Sequence, residues 1–272
     1  MNTYKIFAIS DVHGHYTEMV NALHKSGFDE NNPKHLLISC GDMFDRGEES
    51  LAVYQYLKDL HDKGKAVLIK GNHEPMFTSF LKGSVNPFNF IHNGTRNTID
   101  DFYHCTKSFE MFMIENKDNY MYMEDAYCDF VKRTSKSINK EFPELINFID
   151  NLPYYYETKN HIFTHAAIDL KVPDWHNPHC YRYDKIDWEA LTWDDGSFIT
   201  QKNTTDKTIV VGHFDSNSLR KMWDIDYNGQ DNYSILKTDD NKVFIDACTI
   251  LTKQINVYVI EDELLDERTE EN

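Results

Sequence analysis

Short apolar runs rich in β-branched residues recur along the chain at 4–10, 36–40, 66–70, 161–164, 208–211, 242–245 and 255–260. Runs of four to seven such residues, closed by Gly, Asp or Asn, predict buried strands. Between the early runs the apolar spacing becomes helical. Residues 17–25 put Met19, Val20 and Leu23 on one side, and residues 48–63 do the same with Leu51, Tyr54, Leu57 and Lys58. A third helix is expected from Pro75, since proline suits a first helical turn. Three β-turn-α units in a row predict an α/β fold, whose ligands gather at the carboxyl ends of the strands.

Residues 76–160 break that rhythm. Helical stretches at 109–114, 127–132 and 143–152, with few strand signals, predict a mostly helical insertion or cap inside a single domain over 1–272. The segment 174–203 reads as loop, with Trp175, Trp188 and Trp193 as packing residues.

The strand ends carry the chemistry. The first delivers Asp11-Val12-His13-Gly14. Two residues apart in extended backbone, Asp11 and His13 would point the same way and reach one metal. The second delivers Gly41-Asp42-Met43-Phe44-Asp45-Arg46-Gly47, and the third Gly71-Asn72-His73-Glu74. Hard cations need oxygen ligands, and a planar guanidinium suits phosphate oxygens. A lone Asp-x-His is more often a solvated turn. Three successive strands ending this way are not expected by chance. Later runs end at His165, at Gly212-His213 and at Asp246.

Composition narrows the function classes. A formal charge of −17 over 272 residues argues against a basic nucleic-acid-binding face. It leaves open a phosphate-bearing substrate, because bound metals supply positive charge locally. The five cysteines are widely spaced, with no CxxC, and predict reduced thiols in a cytoplasmic protein. The sequence opens straight into strand-like residues with no signal peptide, and no run is long enough to span a membrane. The acidic stretch 261–272 is expected to fray. Arg96 reads as a surface arginine before it reads as a substrate contact, and Lys132, Arg133 and Lys136 as a solvated helix face.

Asp11, His13, Asp42, Asn72, His165 and His213 are the candidate metal ligands. Mixed carboxylate, amide and imidazole donors without thiolate suit Mn²⁺, Fe or Zn²⁺. Six side chains exceed the needs of one open ion and suit two, about 3.5–4 Å apart, bridged by a carboxylate. His73 could protonate a leaving oxygen, with Asp45 fixing its tautomer.

The ordered set DxHG, GDxxDRG, GNHE, a later lone His and GH resembles the calcineurin-like metallophosphoesterases. The DRG and NHE variants resemble the phosphoprotein-phosphatase branch, which takes in small bacterial and phage serine/threonine phosphatases and symmetrical diadenosine tetraphosphate hydrolases. The resemblance implies a β-sandwich of two mixed sheets flanked by helices, with two divalent ions, Mn²⁺ first, at its rim. It implies Asp11, His13 and Asp42 on the first ion, Asp42 bridging, and Asn72, His165 and His213 on the second. It implies His73 as acid, paired with Asp45, and Arg46 on the phosphate beside Asn72. The expected activity is hydrolysis of phosphate monoesters by a serine/threonine-type protein phosphatase, on a phosphorylated protein or a small phosphoester, without nucleic-acid or membrane partners. A dinucleoside polyphosphate hydrolase is the alternative, and an inactive relative that binds a phospho-ligand is the third reading.

The chain departs from that pattern in four places. His165-Ala166-Ala167 replaces HGG, and Asp246-Ala247-Cys248 replaces DTG. Asp194-Asp195 follows Trp193 where a second phosphate-binding arginine is usual, leaving Arg96 or Arg182 as substitutes. Phe214-Asp215 lacks the second histidine of phosphodiesterase-like members, which favours monoesters.

Overall fold

The computed structural model describes residues 3–84, 86–105, 111, 112, 114, 123–170, 175, 189–193 and 196–265. Two mixed sheets pack face to face. The first has the order β3-β2-β1-β9, from β1 (Thr3–Ile9), β2 (His35–Ser39), β3 (Ala66–Leu68) and β9 (Tyr258–Glu263). The second has the order β4-β5-β6-β8-β7, from β4 (Tyr155–Glu157), β5 (His161–Thr164), β6 (Thr208–Val211), β7 (Leu236–Lys237) and β8 (Lys242–Phe244). Each sheet contains three mutually parallel strands, β1-β2-β3 and β5-β6-β8, edged by antiparallel ones.

Alternation within fully apolar strands explains the layering. Ile6, Ala8, Leu36 and Ile38 face the second sheet and meet Phe163, Val210 and Val243 between the layers. Their neighbours Phe7, Ile9 and Leu37 face the other way, into helices. Ile162, Ile209, Val211 and Phe244 likewise face the outer layer beyond the second sheet. Both faces of both sheets are thus covered, which is why these strands read as continuous apolar runs.

Over the first sheet lie α1 (Tyr16–Lys25), α2 (Ser50–Asp62), α3 (His73–Leu81), α4 (Pro87–His92), α5 (Thr95–Phe102), α6 (Met123–Glu141) and α7 (Leu145–Asp150). Helix α2 buries Val53, Tyr54, Leu57 and Leu60, a stripe turned from the expected one, leaving Leu51 and Lys58 half-buried. Helix α3 starts at His73 rather than Pro75, so Pro75 is its third residue, where no intrahelical N–H is required. Of the expected helix at 109–114, residues 111, 112 and 114 are among those described, and they are helical. Lys132, Arg133 and Lys136 are on the exposed face of α6. The outer face of the second sheet is covered by α8 (Ser216–Trp223) and a helical turn at Ser197–Thr200.

The last strand begins at Tyr258, not at 255, and includes part of the acidic stretch expected to fray. Asp262 is buried there and accepts hydrogen bonds from Thr158, Asn160 and His161. These contacts hold residues 261–263 in β9; residues 266–272 lie outside the described set. Cys40, Cys105, Cys128 and Cys248 are free thiols. Among the described residues no helix is long and apolar enough to cross a membrane.

Candidate dimetal site

The parallel strands of each sheet end on the same rim, and their following loops converge. β1 leads to Asp11 and His13, β2 to Asp42, Asp45 and Arg46, and β3 to Asn72 and His73. From the second sheet β5 leads to His165, β6 to His213 and β8 to Asp246. The loops touch so closely that glycine is required between them. A Cβ on Gly212 would overlap Ser10 Oγ and Asp11 Oδ2, and one on Gly71 would overlap Asp42 Oδ1.

The backbone here is strained. Asp11 (φ 52°), His13 (46°), Asp42 (56°), Asp45 (71°), Arg46 (71°) and His213 (60°) all adopt left-handed conformations. Each such residue costs on the order of 1–3 kcal/mol, and such strain gathers at ligand clamps. Asp11 and His13 are therefore not in extended backbone. They come together because two left-handed residues curl the loop, not because the strand continues.

Asp42 is at the centre. Its Oδ1 is 3.4 Å from His165 Nε2, and its Oδ2 is 3.7 Å from His13 Nε2 and 3.9 Å from His73 Nε2. Asp11 Oδ1 is 3.9 Å from His13 Nε2. Asn72 Oδ1 is 2.9 Å from His165 Nε2 and 3.2 Å from His213 Nδ1. Two groups of ligand atoms, His13/Asp42/His73 and Asp42/His165/His213, each lie within 4.8 Å of one another and share Asp42. The first includes His73, with Asp11 at its border.

The ring orientations suit ligation. His13 Nδ1 donates to the Phe44 carbonyl (2.9 Å) and His165 Nδ1 to that of Cys40 (2.8 Å). Both Nε2 lone pairs therefore face the centre. The charges suit it as well. Burial raises Asp11 to about 6 and lifts Asp42 well above the carboxylate range; Asp246 is raised by burial and then by Asp11. Burial lowers His13 and His165, and brings His213 down to about 4. Neutral imidazoles and buried carboxylates short of positive charge are what divalent cations would complete, so the residues fit a metal pair.

His73 and Arg46 flank this centre. His73 Nδ1 donates to Asp45 Oδ2 at 2.8 Å, and its Nε2 is 3.4 Å from Arg46 Nη2. Burial pulls the His73 pKa down, but Asp42 and Asp45 outweigh it and bring it to about 9. The His73 and Arg46 side chains face one cavity of about 300 Å³, lined also by Asp215, Asp246 and Trp193. Trp193 is half-exposed, its ring edge-on to His213 at 5.7 Å, so it is a wall of the cavity rather than core. Trp175 is buried against Tyr155, as a packing residue should be. Arg96 is half-buried on α5 and is not among the residues lining the cavity; Arg182 lies outside the described residues.

Glu74 was not singled out from the sequence. Its buried carboxylate accepts from the backbone N–H of Gly71 (2.6 Å), Met43 (2.8 Å) and Asp42 (3.0 Å), tying the β2 and β3 loops together. A glutamate in the first turn of a buried helix, following two ligand-type residues, was the available signal.

A family model described as calcineurin-like phosphoesterase matches residues 4–247. A Bacillus velezensis protein named bis(5′-nucleosyl)-tetraphosphatase PrpE [asymmetrical] is 34% identical over 31% of this chain and 35% of its own length. A symmetrical bis(5′-nucleosyl)-tetraphosphatase of Buchnera aphidicola is 36% identical over 41% of this chain and 36% of its own. Shewanella-like protein phosphatase 1 of Plasmodium berghei is 28% identical over 62% of this chain and 40% of its own. The chain thus spans between about a third and two fifths of the length of these relatives. A crystal structure provisionally named a diadenosine tetraphosphatase superposes with a TM-score of 0.54 at 13% identity, covering 97% of this chain and 95% of that one. A cold-active protein tyrosine phosphatase superposes at 0.50 and 16% identity, covering 94% and 73%. These two likenesses establish the fold. With the family match running from β1 to the end of β8, the chain belongs to the calcineurin-like phosphoesterase family.

Proposed function

We propose that this chain is a two-metal phosphoesterase that hydrolyses phosphate monoesters, with phosphoserine and phosphothreonine side chains as its substrate class. The observation that carries this is the pair of ligand groups sharing Asp42, opening on the cavity that His73 and Arg46 also face. Bound ions would neutralise phosphoryl charge and generate a nucleophile from water at neutral pH. The donor set, without thiolate, favours Mn²⁺, with Fe or Zn²⁺ as alternatives.

The chain's own residues supply the rest. Arg46 offers a planar fork to the phosphoryl oxygens. His73 delivers the Nε2 proton to the departing alkoxide, while Asp45 holds Nδ1–H and so keeps the ring oriented. Among the described residues lining the cavity, Arg46 is the one guanidinium or ammonium group, and Asp215 and Asp246 are carboxylates. That balance suits a single phosphate better than a chain of four. We read residues 76–160 as the insertion that sets substrate range, and free thiols as fitting a reducing, cytoplasmic setting. A dinucleoside tetraphosphate is the second reading, favoured by the names of two of the relatives.

The test is a substrate panel on Mn²⁺-loaded protein: phosphoserine, phosphothreonine and phosphotyrosine peptides, diadenosine tetraphosphate and p-nitrophenyl phosphate. The proposal expects kcat/KM to be highest on a phosphoserine or phosphothreonine peptide. A tenfold preference for diadenosine tetraphosphate installs the second reading. No hydrolysis of any ester by protein holding two ions overturns both.

A further inference from the structure

We infer that Thr98, assisted by Thr95, is a positioning residue that holds the Asp45–His73 pair in line for protonating the leaving group. The inference rests on the proposed role of His73 as that acid.

Thr98 and Asp45 are both fully buried. Thr98 Oγ1 is 2.7 Å from Asp45 N, 3.1 Å from Asp45 Oδ1 and 3.0 Å from Ser50 Oγ. A hydroxyl has one proton and two lone pairs. The Asp45 N–H can only donate, and an ionised carboxylate can only accept. The Thr98 proton must therefore go to Oδ1, and the Ser50 hydroxyl must donate to Thr98. The capacity of Thr98 is used in full, with every hydrogen direction fixed. Thr95 Oγ1 donates to Asp45 Oδ2 at 2.9 Å, the same oxygen that takes Nδ1–H of His73. Both carboxylate oxygens are thus pinned, and with them the plane in which His73 sits.

One side chain holds both ends of a strained residue. Asp45 has φ 71°, and Thr98 binds its N–H as well as its carboxylate. The same helix start holds the phosphate clamp. Arg46 N–H donates to the Gly94 carbonyl (3.1 Å), and Asn97 Nδ2 donates to the Arg46 carbonyl (2.6 Å). Acid and clamp are therefore both referenced to the first turn of α5, about fifty residues further along the chain, and share one rigid frame.

The test uses Thr98→Val, which keeps the shape and deletes the hydroxyl, Thr98→Ser, which restores it, and Thr95→Val, which leaves Asp45 N–H paired. All are measured with two ions bound. Loss of a supporting hydrogen bond costs roughly 10–100-fold at comparable sites. Thr98→Val is expected to lower kcat on a phosphoserine peptide by roughly tenfold, with KM unchanged and a smaller loss on p-nitrophenyl phosphate, whose leaving group needs no proton. Thr98→Ser should recover most of it, and Thr95→Val should show the same pattern more weakly. In a His73→Asn background Thr98→Val should add nothing. Equal losses on both substrates, or losses that multiply with His73→Asn, overturn the inference. A second readout does not depend on turnover. In Zn²⁺-loaded protein the ring N–H proton of His73, identified by its loss in His73→Asn, should shift in Thr98→Val and return in Thr98→Ser. If the wild type hydrolyses no ester, the functional reading falls alone when that resonance moves, and both fall when it does not.

Discussion

The two ends of the sandwich bury carboxylates beside histidines, to opposite effect. At the rim, His73 meets Asp45 at 2.8 Å, beside Asp11, Asp42 and Asp246. At the far end, where β1 and β5 begin, His161 meets Asp262 at 2.6 Å. Asp262 also accepts from Thr158 Oγ1 (2.6 Å), Asn160 N (3.1 Å), Asn160 Nδ2 (2.6 Å) and Glu263 N (2.8 Å). Burial pushes its pKa up, but these donors, Thr158 and His161 first, bring it down to about 2. Asp11 and Asp42 are set deeper among other groups, have fewer donors for their charge, and move the other way. A buried carboxylate whose lone pairs are all filled is a structural lock. One left short of positive charge is a place for a cation.

Asp42→Asn tests this contrast hardest. It keeps the shape and removes the shared charge, so both ions should be lost or mis-spaced and kcat should fall by roughly 10³-fold or more, several kcal/mol of transition-state stabilisation. Elemental analysis and thermal unfolding check it together. The metal-free variant should be at least as stable as metal-free wild type, because an uncompensated buried charge has gone. Two ions retained by the Asp42→Asn variant together with wild-type kcat would sink the idea that Asp42 bridges them.

His73→Asn comes next. Loss of a general acid costs roughly 10²–10⁴-fold on a phosphoserine peptide and less on p-nitrophenyl phosphate. Metal content must be measured alongside, since His73 Nε2 is also within 3.9 Å of Asp42. Equal slowing on both substrates with both ions present would move His73 from acid to phosphate contact.

Asp262→Asn should leave turnover per folded molecule unchanged and destabilise the fold by about 2–3 kcal/mol at pH 7. The sign follows from a folded pKa of about 2 against roughly 3.9 unfolded. The stabilisation is fully present above about pH 4 and disappears as pH falls towards 2. Melting curves of wild type and variant should therefore converge across that window; a gap that stays constant with pH would refute the lock.

The smallest effect calibrates the others. His104 and Glu141 form a third such pair at 2.9 Å, with both side chains more than half exposed. Water and salt weaken it, so His104→Asn should cost no more than about 1 kcal/mol in denaturant unfolding. A larger loss would mean that burial is not what separates these pairs.

Much of the rim could be read from the sequence because each ligand type closes an apolar run. Asp11, Asp42, Asn72, His165 and His213 all follow strands whose mutual parallelism brings their ends together. What escaped depends on contacts distant in sequence. Nothing local marks Thr98 as the partner of Asp45, or Asp262 as the partner of Thr158 and His161. The left-handed turns at Asp11 and His13 are imposed by tertiary packing and leave no periodic trace, so extended backbone was the natural expectation. An acidic segment looks ready to fray when its charge is counted without the donors that meet it.

The pairing of β1 with β9 has a consequence for how the protein is made. Thr3 lies opposite Glu263, so β1 finds one of its two neighbours only after β2 to β8 have been made. Until then β1 pairs only with β2 and presents an open apolar edge, the kind of surface that invites aggregation and chaperone binding. The loop after β1 carries Asp11 and His13, so the nascent chain must wait for β9 before that loop has a finished sheet beneath it.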